Sequence, residues 1–273
     1  MSEFWTFMAA PAASCLILSV LYTYFGVHVL KREIVFVDLS LAQLAALGAT
    51  TGMILDVPPH SPLVPVLAFG FILAGAAFFS TTRTLAGRVP QEAVIGIVYV
   101  VAASVALLLA SRSPHGAEHI RNLMNGSVLW TTWQDVLRIA LAGAAVSLVH
   151  WKYFHRFHKQ SEAYADRRPG GTDRTLDFMF FATLGLVIVI SVKTAGVFLI
   201  FTLLIVPAVC GALFSRTFAG RWMIGAGLSS ATSVLGIALS YALDLPTGAA
   251  IVSCFGVLFL TTFLLSRVFS KPF

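Results

Sequence analysis

The stretch of sequence that decides the fold is residues 176–214, LDFMFFATLGLVIVISVKTAGVFLIFTLLIVPAVCGALF. It contains two apolar runs, 176–192 and 195–214, which are separated only by Lys193 and Thr194. Each run approaches the roughly 20 apolar residues that a membrane-spanning helix requires. Merging the two runs into one span would move half of the loops to the other side of the membrane and spoil the sorting of charges described below. We therefore interpret the stretch as two consecutive spans of a membrane protein.

The composition of the whole chain agrees with this interpretation. The 273 residues are 58% hydrophobic and 11% charged, whereas about 25% of the residues in a soluble domain are charged. Nine apolar runs are long enough to cross a bilayer, and they lie at roughly 8–30, 34–55, 63–82, 93–111, 133–151, 176–192, 195–214, 222–243 and 247–268. The sequence therefore predicts an all-α fold, a polytopic membrane helical bundle of about nine transmembrane helices. We expect residues 1–273 to form a single transmembrane domain.

Positive charges give this bundle a predicted orientation. If the amino terminus lies outside, 14 of the 18 basic residues fall in loops on one side. The opposite loops hold Arg112, Arg121 and Lys193, and Arg138 lies within the fifth run. The positive-inside rule assigns the basic side to the cytoplasm, so the carboxyl terminus is also cytoplasmic. Orientation thereby accounts for the net charge of +6, and we expect no nucleic-acid partner.

The chain lacks the sequence pattern G-x-x-x-x-G-K-[ST], with which many ATP-binding proteins cradle phosphates. If transport by this protein uses ATP, another chain must supply the ATPase. We predict that this chain is not an enzyme and binds no cofactor of its own.

Pro207 interrupts the seventh run and predicts a kink or break there, because proline lacks a backbone donor and clashes one turn back. The following segment would leave the membrane axis near Phe214 and reach the cytoplasm at Arg216. A short helix across the cytoplasmic face could then hold a partner protein. The alternative is an ordinary proline kink, since proline is common in membrane spans.

Acidic side chains within apolar runs are candidates for a transport pathway. Asp38 stands near the start of the second run, in Phe36-Val-Asp-Leu-Ser-Leu-Ala-Gln43. The alternative is that Asp38 lies at the cytoplasmic end of its span and is solvated. Asp177 lies near the end of a span, where no pathway role is required.

Four histidines at or near the ends of the first and fifth runs have ordinary explanations by position. We expect His28 to lie at the membrane interface. We expect His150, His155 and His158, at or beyond the end of the fifth run, to be solvated among basic residues.

An external loop after the fourth run carries His115, Glu118 and His119. On a helix the two histidines share a face, and this i, i+4 spacing suits a divalent metal. The loop could therefore bind metal at the outer mouth of the protein. It could equally be a surface helix with incidental histidines. Its H-x-x-E-H pattern also matches inverted zinc proteases, although no third ligand is placed.

Three ordered sequence elements carry a family resemblance. In chain order they are Glu92-Ala-Val-Ile-Gly-Ile97, Met124-Asn-Gly-Ser-Val-Leu129, and Ala195-Gly-Val-Phe-Leu199 with Leu203-Leu-Ile-Val-Pro-Ala208. Together they resemble the permease subunits of metal-ion ABC importers, the zinc/manganese/iron permease family. The matches follow the family's order and extend over most of the chain.

The resemblance implies how such a protein works with its partners. It implies a bacterial cytoplasmic-membrane permease that pairs with a second copy of itself around the pathway. It implies cytoplasmic ATPase subunits, which use the ATP and hold the segment after Pro207. It also implies an external metal-binding protein that delivers zinc, manganese or iron, either bare or chelated.

The resemblance further implies pathway residues at Asp38, Gln43 and Glu92, although the chain departs from the family there. The family usually reads G-D-A-x-S-H near the start of the second run. Anchoring on Asp38 places Ala42 at the histidine position, whereas anchoring on the small-residue run places Gln43 there and Leu39 at the aspartate. Both alignments lose the Asp/His pair.

Two other functions compete with the importer permease. A proton-coupled secondary transporter would require several acids deep in the spans, and few candidates exist beyond Asp38. A membrane zinc enzyme would use His115, Glu118 and His119.

Overall fold

The computed structural model describes residues 2–58, 61–82, 89–112, 121, 123–165 and 173–269, and these residues are almost entirely helical. The helices are α1 (Ser2–Arg32), α2 (Val37–Ile54), α3 (Leu63–Thr82), α4 (Gln91–Ala110), α5 (Trp133–Lys152), α6 (Phe154–Ala165), α7 (Arg174–Phe214), α8 (Phe218–Leu243) and α9 (Thr247–Phe269). A 3₁₀ turn, η1 (Val128–Trp130), precedes α5. No strand occurs in these ranges, which confirms the predicted all-α fold.

Seven of these helices, α1 to α4 and α7 to α9, are long and apolar enough to cross a membrane. The helix α5 falls in a predicted span but is less apolar, since it carries Asp135, Arg138 and Lys152. The structure thus agrees with a helical membrane bundle, while the count of nine spans and the orientation stay predictions.

The long helix α7 contains the break that the sequence predicts between its two apolar runs. Its 41 residues would extend about 60 Å as one straight helix, twice the thickness of a bilayer core. Gly196 interrupts it with the non-helical angles φ 75° and ψ 158°. Each arm of α7 is therefore about as long as one span.

The chain divides into two compact units. The first unit comprises residues 1–30, 125–143 and 194–273. In this unit α8 packs closely on α9, because Gly236 has no side chain to keep it from Ile251. The α1 helix joins the same packing through Ser19, whose hydroxyl lies 3.3 Å from that of Ser233.

The second unit comprises residues 31–124 and 144–193. In it α2 packs against both α3 and α4. Gly48 lets α2 approach the backbone of α3, since a Cβ at this position would lie 2.7 Å from the Cα of Ala68. Small residues thus bring α2 close to its neighbours, as is common between membrane helices.

Candidate translocation and coupling sites

Asp38 lies in the first turn of α2 and is only 1% exposed. Among the described residues, its Oδ1 atom has no hydrogen-bond partner. Asp38 therefore lies at the end of a span, but the alternative that it is solvated there is wrong. A buried carboxylate without a full set of partners carries a large desolvation cost, which a cation or a proton would relieve.

Glu92 occupies the equivalent place in α4, the first turn of that helix. Its Oε1 accepts a hydrogen bond of 2.9 Å from the backbone N–H of Phe36, just before α2 begins. Its Oε2 is buried and has no partner in the described part of the chain. The structure thereby brings Glu92 to the start of α2, whose first turn carries Asp38.

Gln43 is buried as well, at 6% exposed, but it lies elsewhere on α2. It follows Asp38 by five positions, which corresponds to about 7.5 Å along the helix axis and about 140° around it. Its Nε2 lies 3.9 Å from the thioether sulfur of Met124, a soft, polarizable group. The structure thus brings Glu92 to the end of α2 that carries Asp38, and it places Gln43 beside Met124 instead.

No group of three or more histidine, cysteine, aspartate or glutamate side chains that could hold a metal occurs within the described ranges. Asp38 and Glu92 supply two carboxylates, so a cation passing here would keep part of its water shell or bind other donors. The predicted set His115, Glu118 and His119 lies outside the described residues, and the proposed role of these three residues stays a prediction.

Two sequence elements named above meet at the break in α7, within the first unit. Gly126 and Gly196 both have positive φ, 67° and 75°. A Cβ on either glycine would lie closer than 3.0 Å to backbone atoms of the other segment. The Ser127 N–H donates to the Thr194 carbonyl at 2.8 Å. Backbone hydrogen bonding and the lack of side chains therefore fix the loop 125–127 on this break.

The end of α7 differs from the prediction made for Pro207. The helix continues with helical backbone angles past Pro207 to Phe214, and its one non-helical residue is Gly196. The predicted break at Pro207 is therefore absent, whereas the predicted separation of the two apolar runs lies at Gly196. Residues 215–217 lead directly into α8, so the predicted short helix across the cytoplasmic face is absent from this described segment.

The α7–α8 connection is a tight, partly exposed turn. Phe214 is 44% exposed, and Arg216 is exposed. The Thr217 side chain caps α8 by accepting from Gly220 N–H, and Arg221 Nε donates to the Ser215 carbonyl at 3.0 Å. The predicted coupling residues Phe214 and Arg216 thus lie at the end of α7 and in the turn after it, and these hydrogen bonds stabilise the turn.

A buried charged cluster was missed in the sequence. Arg32 and Asp177 form an ion pair of 2.9 Å, with side chains 0% and 1% exposed. Arg32 also donates to Ser161 at 3.0 Å, and the Tyr164 hydroxyl donates to Asp177 at 2.7 Å. The guanidinium carbon lies 4.0 Å from the centre of the Phe180 ring. Asp177 therefore holds the ends of α1, α6 and α7 together.

Two histidines near the ends of predicted spans are buried. His150 is 3% exposed, stacks on Phe157 with ring centroids 4.3 Å apart, and lies 2.9 Å from the Thr183 hydroxyl. The prediction that it is solvated is wrong. His28 is fully buried between Tyr24 and Phe218, so it packs inside the protein, and its depth at the membrane interface stays a prediction.

The fold and the buried carboxylates define a class of protein, a helical membrane protein with acidic groups inside its spans. Its sequence decides the family. Residues 5–266 match the ABC 3 transport family, so the chain belongs to that family.

Similar proteins have related but different cargoes. The chain is 27% identical over 212 residues to the chelated iron transport system membrane protein YfeC of Yersinia pestis, covering 72% of this chain and 69% of that one. It is 28% identical over 200 residues to the manganese transport system membrane protein MntB of Synechocystis sp., covering 72% and 63%. The solved structure of PsaBC from Streptococcus pneumoniae in complex with Fab matches with a TM-score of 0.77, at 19% identity, covering 96% of this chain and 95% of that one.

The protein is therefore an ABC transporter permease of the metal-import type, a multi-pass protein of the bacterial inner membrane. It is a transport subunit by family. The resemblance found in the sequence is confirmed.

Proposed function

We propose that this chain forms the membrane pathway of an ATP-driven importer for a divalent transition metal, zinc, manganese or iron, either bare or as a chelate. The observation that carries the proposal is the burial of Asp38 beside Glu92 in a chain of a metal-transport family. Two buried carboxyl groups, when ionised, favour a cation over an anion or a neutral solute.

The proposed architecture includes nine spans, with the two arms of α7 counted separately and α5 included. The amino terminus lies outside and the carboxyl terminus in the cytoplasm, following the sorting of basic residues. All 273 residues form one transmembrane permease domain, which pairs with a second copy of itself.

The proposed partners act on opposite sides of the membrane. A separate cytoplasmic ATPase uses the ATP and docks on the turn that carries Phe214 and Arg216. An external metal-binding protein delivers the cargo at the outer mouth, where His115, Glu118 and His119 are the proposed capture residues.

The proposal is tested by metal uptake into proteoliposomes that contain the permease and its ATPase. Uptake of zinc, manganese and iron is measured with and without ATP, and in the presence of a protonophore. We expect uptake that needs ATP and survives the protonophore. Uptake by the permease alone, driven by a proton gradient, would instead establish the secondary transporter.

Asp38→Asn is the variant that tests the pathway, and Asp244→Asn is its matched control. Asp244 is exposed at the end of α8, where its left-handed conformation also suits asparagine. We expect Asp38→Asn to lower uptake at least about ten-fold, which corresponds to roughly 1.4 kcal/mol, while Asp244→Asn keeps wild-type uptake.

Thermal stability separates a pathway role from a structural one. Removing a buried carboxylate charge that lacks a full set of partners should leave stability unchanged or raise it. Normal uptake by Asp38→Asn would contradict the proposed pathway, and lost uptake together with a lowered melting temperature would assign Asp38 to the fold.

A further inference from the structure

The helix α6 is amphipathic and has one face fixed in the second unit. Phe157, Gln160 and Ser161 are buried on that face. Gln160 forms two hydrogen bonds with the backbone of Asp173, donating at 2.8 Å and accepting at 3.0 Å. Because these contacts hold α6 in place, its opposite face has a defined direction.

That opposite face carries a row of basic side chains, which we name the basic stripe: Lys152, His155, Arg156 and Lys159. Their spacing of i, i+3, i+4 and i+7 places them on one side of a helix, and all four are exposed or partly exposed. The backbone links α5 to α6 in helical fashion, since Tyr153 N–H donates to the Val149 carbonyl at 3.1 Å and Phe157 N–H to the Tyr153 carbonyl at 3.0 Å. The stripe is therefore nearly continuous across the α5–α6 junction.

The basic stripe follows directly on an apolar exposed surface at the end of α5. Leu148 is 63% exposed and Trp151 78% exposed. Lys152 stands one turn after Leu148, and His155 one turn after Trp151. Exposed leucine, then tryptophan, then lysine is the order found where the hydrocarbon of a bilayer gives way to its headgroups.

The acidic side chains that the structure describes near the stripe leave most of its charge available. Arg156 approaches Asp173 at 3.7 Å, but both side chains are largely exposed, at 62% and 43%, and such a pair is weak. Glu162 is shared between His158 and Lys31. The stripe thus presents net positive charge beside an apolar surface.

From this continuity we propose that the basic stripe binds the phosphate headgroup of an anionic phospholipid, whose acyl chains lie against Leu148 and Trp151. Charge complementarity identifies the lipid class, since juxtamembrane clusters of lysine and arginine attract anionic headgroups. A neutral phospholipid satisfies the apolar part of the surface and not the stripe.

The experiment uses the purified full chain in phosphatidylcholine nanodiscs and measures tryptophan fluorescence. Phosphatidylglycerol or phosphatidylcholine with dibrominated acyl chains is added as the quencher, and Trp151→Phe identifies the part of the signal that comes from Trp151. We expect brominated phosphatidylglycerol to quench Trp151 at lower concentrations than brominated phosphatidylcholine does. Raised salt should weaken this preference, as screening requires.

Two matched double variants locate the binding surface. Lys152→Gln with Lys159→Gln should lower the preference for phosphatidylglycerol by about 25-fold, or roughly five-fold for each lysine. Replacing the same two lysines by arginine should keep it. Arg174→Gln with Arg267→Gln removes two exposed basic residues outside the stripe and should also keep it.

Several results would overturn the proposal. One is an equal preference for phosphatidylglycerol in the wild type and in the lysine-to-glutamine variant. Another is a loss of this preference in Arg174→Gln with Arg267→Gln as large as that in the lysine-to-glutamine variant. Loss of ATPase copurification in the lysine-to-glutamine variant with an unchanged lipid preference would assign the stripe to the ATPase instead. Because lipid binding is measured without metal or ATP, the result does not depend on the proposed transport function.

Discussion

Gly196→Ala should destabilise the first unit, because the site excludes any side chain for two separate reasons. Its angles of φ 75° and ψ 158° lie in a region that only glycine occupies readily, at a cost of about 1–3 kcal/mol for other residues. A Cβ there would also lie closer than 3.0 Å to the backbone of residues 125 and 126. Overpacking of this kind costs about 1–3 kcal/mol more, which gives a loss of about 2–6 kcal/mol.

The assay is the apparent melting temperature of the purified protein in detergent. At about 2–4 °C for each kcal/mol in a protein of this size, the lower bound is a decrease of about 4 °C. Gly256→Ala is the matched control, since Gly256 is helical and exposed, and a Cβ added there would meet no heavy atom within 4 Å. We expect the control to melt at or above the wild-type temperature, because alanine favours the helix.

Hydrogen exchange gives a second readout at the junction itself. The amide of Ser127, which bonds to the Thr194 carbonyl, should be protected in the wild type and should lose protection in Gly196→Ala. Equal melting temperatures for the two alanine variants, with Ser127 still protected, would refute the close approach of the two segments.

Two further predictions concern arginines. Arg32→Gln should lower the free energy of unfolding by about 3–5 kcal/mol, because it leaves the buried Asp177 charge without its cation. The control Lys31→Gln should lower it by about 1 kcal/mol or less, since the ion pair of Lys31 is with an exposed glutamate at 3.7 Å. Equal melting temperatures for the two variants would contradict the buried pair. Arg216→Glu should reduce copurification of the ATPase partner, and Arg267→Glu, at another exposed cation, should not; equal recovery of the ATPase with both variants would remove Arg216 from the docking surface.

The features that the sequence predicted well depend on local composition. Long apolar runs predict helices because a bilayer accepts almost no other structure, and α1 to α4, α8 and α9 follow those runs closely. The interruption of α7 was also predictable, since Lys193 is a charged residue between two runs that are each about one span long. Only the residue at which the backbone departs from the helix, Gly196, needed the structure, because the loop 125–127 that packs there is distant in sequence.

The features that the sequence missed depend on pairing between distant residues. Arg32 stands at the end of an apolar run, where basic residues are ordinarily solvated. Its partner Asp177 is 145 positions away, and no local pattern connects them. His150 shows the same difficulty, since its neighbours in sequence are basic while its neighbours in space are Phe157 and Thr183.

Asp38 depends both on local composition and on packing against a distant residue, and it indicates how the proposed site is built. Its position near the start of an apolar run allowed either a solvated or a buried carboxylate, and the packing of α4 decides between them by placing Glu92 against the start of α2. Each carboxyl group lies in the first turn of its own helix, where the partial positive charge of the helix N-terminus stabilises a nearby negative charge. Neither carboxyl group has a full set of partners among the described residues, and this is why we propose the pair as a cation site. A cation that also leaves must not be held by a complete ligand set, and the proposed site meets that requirement because no third histidine, cysteine, aspartate or glutamate joins the two carboxyl groups within the described residues.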